Sequence, residues 1–188
     1  MVYKLNKTDL KIIYSLKNDV RQTITQIAET AGISRPTVIH RLNRLIHEGI
    51  IRFDVGVNIK RLGFHVACVG LEVKGIEHKR ALEEKLSKCP RILMLTCPSE
   101  KANLSMYLFG EDIETLRSVI ERLREFSNTE IVYMFHSEPP IYPKAFSMNL
   151  YPKKSSRAPC GRKCEECYNY QHNLCVGCPA VKAYKGQL

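Results

Sequence analysis

Residues 23–49 read TITQIAETAGISRPTVIHRLNRLIHEG and predict a pair of helices joined by a tight turn. Thr23 stands three residues before a glutamine, which is the spacing of a capping box at a helix start. Gly32 can adopt the turn that ends this helix, and Ser34 can cap the next one with Pro36 in its first turn. A short helix, a glycine turn and a longer basic helix form the helix-turn-helix pattern.

A further helix over about residues 7–18 precedes this pair, because Asn6 and Asp9 have the spacing of an N-cap and its acidic partner. Its expected apolar stripe consists of Leu10, Ile13, Tyr14 and Leu16. The third helix, from about Arg35 to His47, is expected to pack on the first two through Val38, Leu42, Leu45 and Ile46.

The opposite face of the third helix carries side chains that suit base edges and phosphates in a major groove. The predicted DNA-contacting residues are Ser34, Arg35, Pro36, Thr37, His40, Arg41 and Arg44. Three-helix domains also dock proteins, and basic faces are often only solvated. The glycine turn and the basic face together favour double-stranded DNA. An extended segment, residues 50–57, leaves this winged-type head.

The net charge of +10 is concentrated at the two ends of the chain. Residues 1–52 carry nine Lys and Arg against four Asp and Glu, residues 53–143 carry twelve against thirteen, and residues 144–188 carry eight against two. A neutral middle between two basic ends indicates that the ends contact a polyanion. No apolar run approaches the ~20 residues of a membrane span, and the start lacks a secretory signal, so we expect a soluble cytoplasmic protein without a membrane partner.

The middle of the chain predicts strands at 65–73, 91–96, 103–109 and 130–135, with helices at 79–87 and 113–126. This β-α-β-β-α-β order is that of a ferredoxin-like sandwich, whose open sheet face is a natural dimer surface. We therefore predict an α+β protein with a winged-type helix-turn-helix over residues 1–52 and a ferredoxin-like domain over 53–140. A proline-rich linker over 141–159 and a cysteine-rich metal-binding module over 160–188 follow.

The tail contains five of the eight cysteines, at Cys160, Cys164, Cys167, Cys175 and Cys178. In a reducing cytosol such a cluster is typical of metal binding. The two CxxC pairs favour a structural Zn²⁺ site with four thiolates, which would leave Cys160 over. The Cys-x3-Cys-x2-Cys triplet and the final Cys-Pro are alternatively typical of a [4Fe–4S] cluster, which would leave Cys175 or Cys178 over. His172 could replace one thiolate, whereas Cys68, Cys89 and Cys97 are interpreted as small buried hydrophobic residues.

A set of head residues followed by the β-α-β-β-α-β order resembles the Lrp/AsnC (feast/famine) regulators over residues 3–140. These residues are Leu5, Asp9, Ile27, Ala28, Gly32, Ile33, Ser34, Thr37, Val38, Arg41, Leu42, Leu45, Gly49, Ile50 and Ile51. The resemblance implies homodimers through the ferredoxin-like domain, often assembled into octamers, and DNA sites with two-fold symmetry. It also implies a small effector, frequently an amino acid, at the dimer interfaces.

One departure concerns the loop in which the family has a Gly-x-x-Asp-like turn close to the effector. Residues 97–103 contain no glycine here, and Asn103 stands roughly where the aspartate would be. This departure suggests the hypothesis that the tail has taken over effector sensing and reports metal or redox state.

Two other functions compete with regulation. Sirohaem decarboxylases resemble this family, and His40, His65, Tyr107 and His136 could in principle line such a pocket. No grouping of base and nucleophile is present in the sequence, and a basic recognition helix would be superfluous in an enzyme. An iron–sulfur redox partner that inherited the head is the third alternative. We expect a sequence-specific transcriptional regulator rather than an enzyme.

Overall fold

A computed structural model describes residues 3–188. The chain divides into two compact units, one that ends at Asp54 and one that spans Val55–Leu188. The first unit contains α1 (Lys7–Asn18), α2 (Ile24–Ala31) and α3 (Arg35–His47), as the caps predicted. Within the described residues 3–54 the structure contains these three helices and no strand.

Local sequence signals account for the ends of these helices. Asn6 and Asp9 form a reciprocal capping box, with backbone to side-chain distances of 2.9 and 3.1 Å. Gly32 ends α2 with φ at 66°, in the left-handed region that glycine reaches without strain. Ser34 then accepts a hydrogen bond from the backbone N–H of Thr37 at 3.3 Å and so caps α3.

The core of the first unit corrects part of the predicted packing. Ile12, Ile27, Ala28 and Val38 are buried together, with Leu42 partly buried against them. Leu10, Tyr14 and Ile46, which we expected to face inward, are exposed large side chains. The inward face of α1 includes the buried polar residues Asp9 and Ser15. A search for apolar residues at helical spacing therefore predicted the wrong face of α1 as the buried one.

The second unit has the predicted element order. Its strands β2 (His65–Val73), β3 (Ile92–Thr96), β4 (Leu104–Gly110) and β5 (Thr129–Ser137) form one antiparallel sheet in the order β3-β4-β2-β5. Helices α4 (Ile76–Ser87) and α5 (Ile113–Arg124) cover one face of this sheet. The core between them includes Val69, Leu71, Leu86, Leu104, Met106, Leu108, Leu116 and Ile120.

The other face of the sheet carries aromatic side chains. The ring of Tyr133 lies over Gly70, where an added Cβ would be 2.2 Å from the ring. The Tyr133 hydroxyl is 2.7 Å from Ser105 Oγ, and its ring stacks on Phe135 at a centroid distance of 5.6 Å. Phe135 is 62% exposed and Met94 is 47% exposed, so this face presents apolar surface.

A second, two-stranded sheet joins β1 (Gly56–Val57) to β6 (Phe146–Ser147) in antiparallel register. The strand that we expected to leave the head therefore belongs to the second unit. Residues 141–159, predicted as a linker, contain β6 and the buried Ala158, so they are packed into this unit. No described helix is long and apolar enough to cross a membrane.

The tail folds as a compact layer against the sheet domain. It contains a single 3₁₀ turn, Cys164–Glu166, and a short helix α6 (Tyr168–Gln171). Asn169 donates to Ser118 Oγ on α5 at 2.9 Å, and the Val176 N–H donates to Thr115 Oγ1 at 3.2 Å. The five tail cysteines are thereby placed over α5 and the turn between α4 and β3.

Candidate nucleic-acid interface and cysteine-lined cavity

The recognition helix α3 presents a polar face to solvent. Arg35, Pro36, His40 and Arg44 are exposed, as a DNA-contacting face requires. Ser34 is exposed too, but its hydroxyl already caps the helix and lies 2.8 Å from the Thr37 hydroxyl. These two hydroxyls therefore set the start of the helix, and DNA contact by their side chains stays a prediction.

Arg41 differs from the other basic residues of α3. It is only partly exposed, and its Nη1 lies 3.6 Å from the carboxylate of Asp9, which is almost completely buried on α1. This ion pair fixes α3 against α1, so Arg41 has a structural partner. Arg44 instead lies over the ring of Tyr3, with the guanidinium carbon 5.4 Å from the ring centroid. DNA contact by either arginine stays a prediction.

Asn43 is a residue of this face that the sequence reasoning missed. It is exposed and stands three residues after His40, so both lie on one side of the helix. Asparagine can pair with the N6 and N7 atoms of adenine through its amide. The sequence reasoning selected mainly basic residues and therefore left this amide out. Helical periodicity starting from His40 could have identified it.

A cavity of about 80 Å³ lies between the tail and the sheet domain. A single water molecule needs about 10–15 Å³ measured in this way, so the space admits a group of several atoms. All five tail cysteines line it, together with Cys89 from the turn between α4 and β3. Six of the eight cysteines in the chain therefore surround one space.

The thiols of this cavity are held in surroundings that disfavour an isolated charge. Burial raises the pKa of the Cys178 thiol to about 12, with the neighbouring Cys89 adding to the rise. Burial likewise raises the pKa of the Cys89 and Cys164 thiols. Ionised thiolates in this space consequently require compensating positive charge, which a metal centre can supply.

Three arginines connect the tail to the sheet domain at the cavity wall. Arg91 pairs with Glu111 and donates from Nη2 to the carbonyl of Gly177 at 2.6 Å. Arg122 donates to the carbonyl of Cys160 at 2.8 Å. Arg162 pairs with Glu125, which follows α5, and its Nη1 donates to the Cys167 sulfur at 3.3 Å. Arg91 is only 2% exposed; its burial lowers the pKa, but the charge and hydrogen bond of Glu111, together with the neighbouring Cys175 and Cys178, raise the pKa overall.

Among residues 3–188, no group of three or more His, Cys, Asp and Glu side chains is arranged so that it could hold a metal ion. The predicted zinc ligands therefore share a cavity without a single-ion geometry. His172 is exposed and stacks on Tyr168 at a ring distance of 3.9 Å. Of the scattered cysteines, Cys97 is exposed and donates to Glu83, which corrects its interpretation as a buried hydrophobic residue.

Asn103 lies in the loop before β4, roughly where the resembling family has an aspartate close to the effector. Its side-chain oxygen accepts from the Val73 N–H at 3.0 Å, and its amide donates to the Val73 carbonyl at 2.9 Å. The side chain thus continues the pairing of the sheet beyond the strand end.

Of the residues proposed for a decarboxylase pocket, one belongs to the first unit and three belong to the second. His40 belongs to the first unit, whereas His65 and His136 are exposed on β2 and β5 of the second. Tyr107 is half-buried near the two-stranded sheet.

Fold and exposed recognition helix together define a helix-turn-helix DNA-binding protein, and comparison with known proteins agrees. Residues 5–52 match the family described as winged helix-turn-helix DNA-binding. The chain is 34% identical over 114 residues to the HTH-type transcriptional regulator Ptr1 of Methanocaldococcus jannaschii, which covers 60% of this chain and 76% of Ptr1. It is 28% identical over 142 residues to the regulator LrpC of Bacillus subtilis, across 72% of this chain and 94% of LrpC.

Solved structures give the same answer for the fold. The structure of B. subtilis LrpC has a TM-score of 0.60 at 25% identity and covers 74% of this chain and 99% of its own. Escherichia coli AsnC has a TM-score of 0.62 at 22% identity, over 74% of this chain and 96% of its own. This chain belongs to the Lrp/AsnC family of helix-turn-helix transcriptional regulators. It is a DNA-binding regulator of transcription rather than an enzyme, and the family forms oligomers of the Lrp type.

Proposed function

We propose that this regulator reads a specific DNA sequence as a dimer and that its DNA affinity responds to the metal or redox state of the tail. Sequence recognition rests on the exposed face of α3, which combines His40, Asn43 and Arg44. Amide and basic side chains on a helix of this kind can read base edges in the major groove. The carrying observation for specificity is therefore a polar, solvent-facing recognition helix within a family of DNA-binding regulators.

Dimerisation is proposed to use the open face of the four-stranded sheet. Met94, Tyr133 and Phe135 give this face an apolar surface without a covering helix. Burial of such a surface in a two-fold dimer would remove it from water and bring two recognition helices to successive major grooves. DNA sites with two-fold symmetry are the consequence.

The DNA contacts can be tested with two variants and one control. Asn43→Ala should lose about 1–3 kcal/mol of discrimination at one base pair, because an amide–base contact disappears. Arg44→Ala should weaken binding to all sequences and lower the salt dependence by about one phosphate contact. Arg117→Ala removes the same charge from an exposed position on α5 and should leave binding unchanged.

The measurement is fluorescence anisotropy on a duplex selected from a random pool by the purified chain, at two salt concentrations. Equal affinity of the native protein for the selected and a scrambled duplex would contradict sequence-specific binding. Unchanged binding by both α3 variants would contradict the proposed recognition face.

The proposed response of DNA affinity to the tail uses a chain of contacts that begins at the cysteine cavity. Gly177 and Glu111 are both bonded to Arg91, and Glu111 also accepts from the Tyr184 hydroxyl. That hydroxyl accepts from the Leu188 N–H at 3.2 Å. A change at Cys175 or Cys178 therefore has a continuous, packed route through the tail.

The route ends at the start of the second unit. Leu188 packs against the cluster of Ile59 and Phe64, and Gln187 donates to the Leu62 carbonyl at 3.4 Å. Residues 59–64 follow closely in sequence after the first unit ends at Asp54. We infer that metal loss loosens this segment, on which the DNA-binding unit is tethered, and so changes DNA affinity. Comparison of the affinities of metal-bound and metal-free protein tests the response.

Effectors of relatives are not carried over to this site. One relative is named the leucine-responsive regulatory protein of Rhizobium meliloti, and one solved neighbour, a Neisseria meningitidis regulator, is described in complex with L-methionine. In this chain Asn103 is engaged with the backbone of Val73, so its amide is already committed to the sheet. We therefore favour the cysteine cavity as the sensing element.

A further inference from the structure

We propose that the cavity holds a [4Fe–4S] cluster and that Cys89, from the sheet domain, is one of its ligands together with tail cysteines. This inference rests on the proposed metal response, because it names the centre that would produce it. It also assigns a ligand outside the cysteine-rich tail, so the centre would bind the tail to the sheet domain directly.

Cys89 has the surroundings of a ligand rather than of a core residue. It lies between α4 and β3 and lines the cavity with all five tail cysteines. The Ile92 N–H donates to the Cys89 carbonyl at 3.2 Å, which holds the turn that carries this thiol. A cysteine that only fills space has apolar neighbours, whereas Cys89 shares its cavity with five other thiols, as a ligand of an iron–sulfur cluster would.

Hydrogen-bond donors point at two of the sulfurs around the cavity. The Gly177 N–H lies 3.4 Å from the Cys175 sulfur, and the Arg162 guanidinium lies 3.3 Å from that of Cys167. This set of donors prepares the space for sulfur ligands that carry negative charge.

The size of the site favours a cluster over a single ion. Zinc binds sulfur at about 2.3 Å, which brings four ligand sulfurs within about 3.8 Å of one another. No group in the described chain is arranged to hold one ion, although six thiols surround the same space. A cubane of iron and sulfide is larger, holds its cysteines further apart, and suits a cavity of about 80 Å³.

The charges at the wall suit an anionic centre. Arg91, Arg122 and Arg162 all line the cavity. The Nε of Arg122 is buried and has no hydrogen-bond partner among the described residues. A cluster sulfide or a ligand sulfur could accept from it, and binding of the centre would release the protons of the ligating thiols.

The test uses the full chain purified without oxygen, with Cys97 as a matched control because it is an exposed cysteine outside the cavity. Native protein should contain about four iron and four sulfide per chain and show the broad visible absorbance of a cubane cluster. Cys89→Ala should lose at least half of the iron. After one-electron reduction with dithionite, Cys89→Ser should retain a cluster with shifted EPR g values, because an oxygen replaces a sulfur ligand. Cys97→Ala and Cys97→Ser should match the native protein in both measurements.

The proposal would be overturned by zinc in place of iron, including two zinc ions that share the six thiolates. It would also be overturned by native iron content and native EPR spectra in both Cys89 variants. Far-UV circular dichroism of Cys89→Ser checks that the fold is retained. DNA affinity measured on the same samples separates the identity of the metal centre from its effect on DNA binding. Zinc whose removal changes DNA affinity would overturn the cluster alone, whereas iron whose removal leaves the affinity unchanged would overturn the proposed response alone.

Discussion

Arg91→Met is expected to lower the free energy of unfolding of the second unit by about 3–5 kcal/mol, because it leaves the carboxylate of Glu111 buried without its charge partner. The two side chains are 2% and 9% exposed, so solvent cannot take over the lost interaction. Arg91 also donates to the Gly177 carbonyl, so the same change removes a bond between the sheet domain and the tail.

Denaturant unfolding of Arg91→Met beside Arg117→Met measures the effect. The Arg117–Glu114 pair is exposed and should contribute at most about 1 kcal/mol. The double variant Arg91→Met with Glu111→Leu should recover part of the loss, because no unpaired charge then remains buried. A single variant as stable as the native protein would contradict the structural role assigned to this pair.

Removal of the proposed metal centre is expected to unfold the tail selectively. The buried cluster of the tail contains only Ala158, Cys164 and Val181, with partly buried neighbours, so apolar burial alone gives it little stability. A centre saturated at about 100 times its dissociation constant contributes about 2.7 kcal/mol, which corresponds to about a 100-fold change in the open population. Limited trypsin digestion should therefore become up to about 100-fold faster at Lys182 and Lys185.

Digestion followed by mass spectrometry, before and after chelation with prior oxidation of any iron, gives the cleavage rates of the tail with and without the metal. Cleavage within residues 3–54 is the internal control and should be unaffected, since that unit has its own core. Equal tail cleavage with and without metal would show that the centre does not stabilise the tail.

The sequence predicted the elements wherever local chemistry defines them. Asn6, Thr23, Gly32 and Ser34 mark helix ends through hydrogen bonds to residues only a few positions away, and the structure has these ends as predicted. Strand order in the second unit was equally accessible, because alternating apolar residues identify strands locally. The inward face of α1 was not, since Asp9 and Ser15 are buried there through contacts made by the tertiary structure.

The composition of the cysteine cavity depended on long-range packing. The spacing of the tail cysteines pointed to a shared site, but nothing near Cys89 in sequence separates it from an ordinary core thiol. Only the packing of the tail on α5 and on the turn after α4 brings Cys89 to the same space. The prolines of residues 141–159 predicted a linker without packed elements, whereas the structure pairs β6 of this stretch with β1, a contact between residues distant in sequence.

The central claim is that DNA binding by this regulator depends on a metal centre in the tail, and one measurement tests it most directly. The affinity for the selected duplex is measured by anisotropy for anaerobically purified protein and for the same sample after metal removal, at constant salt. A coupling of about 1–3 kcal/mol predicts a change of about 5- to 150-fold, which readdition of the metal reverses. Identical affinities in the two states would contradict the claim.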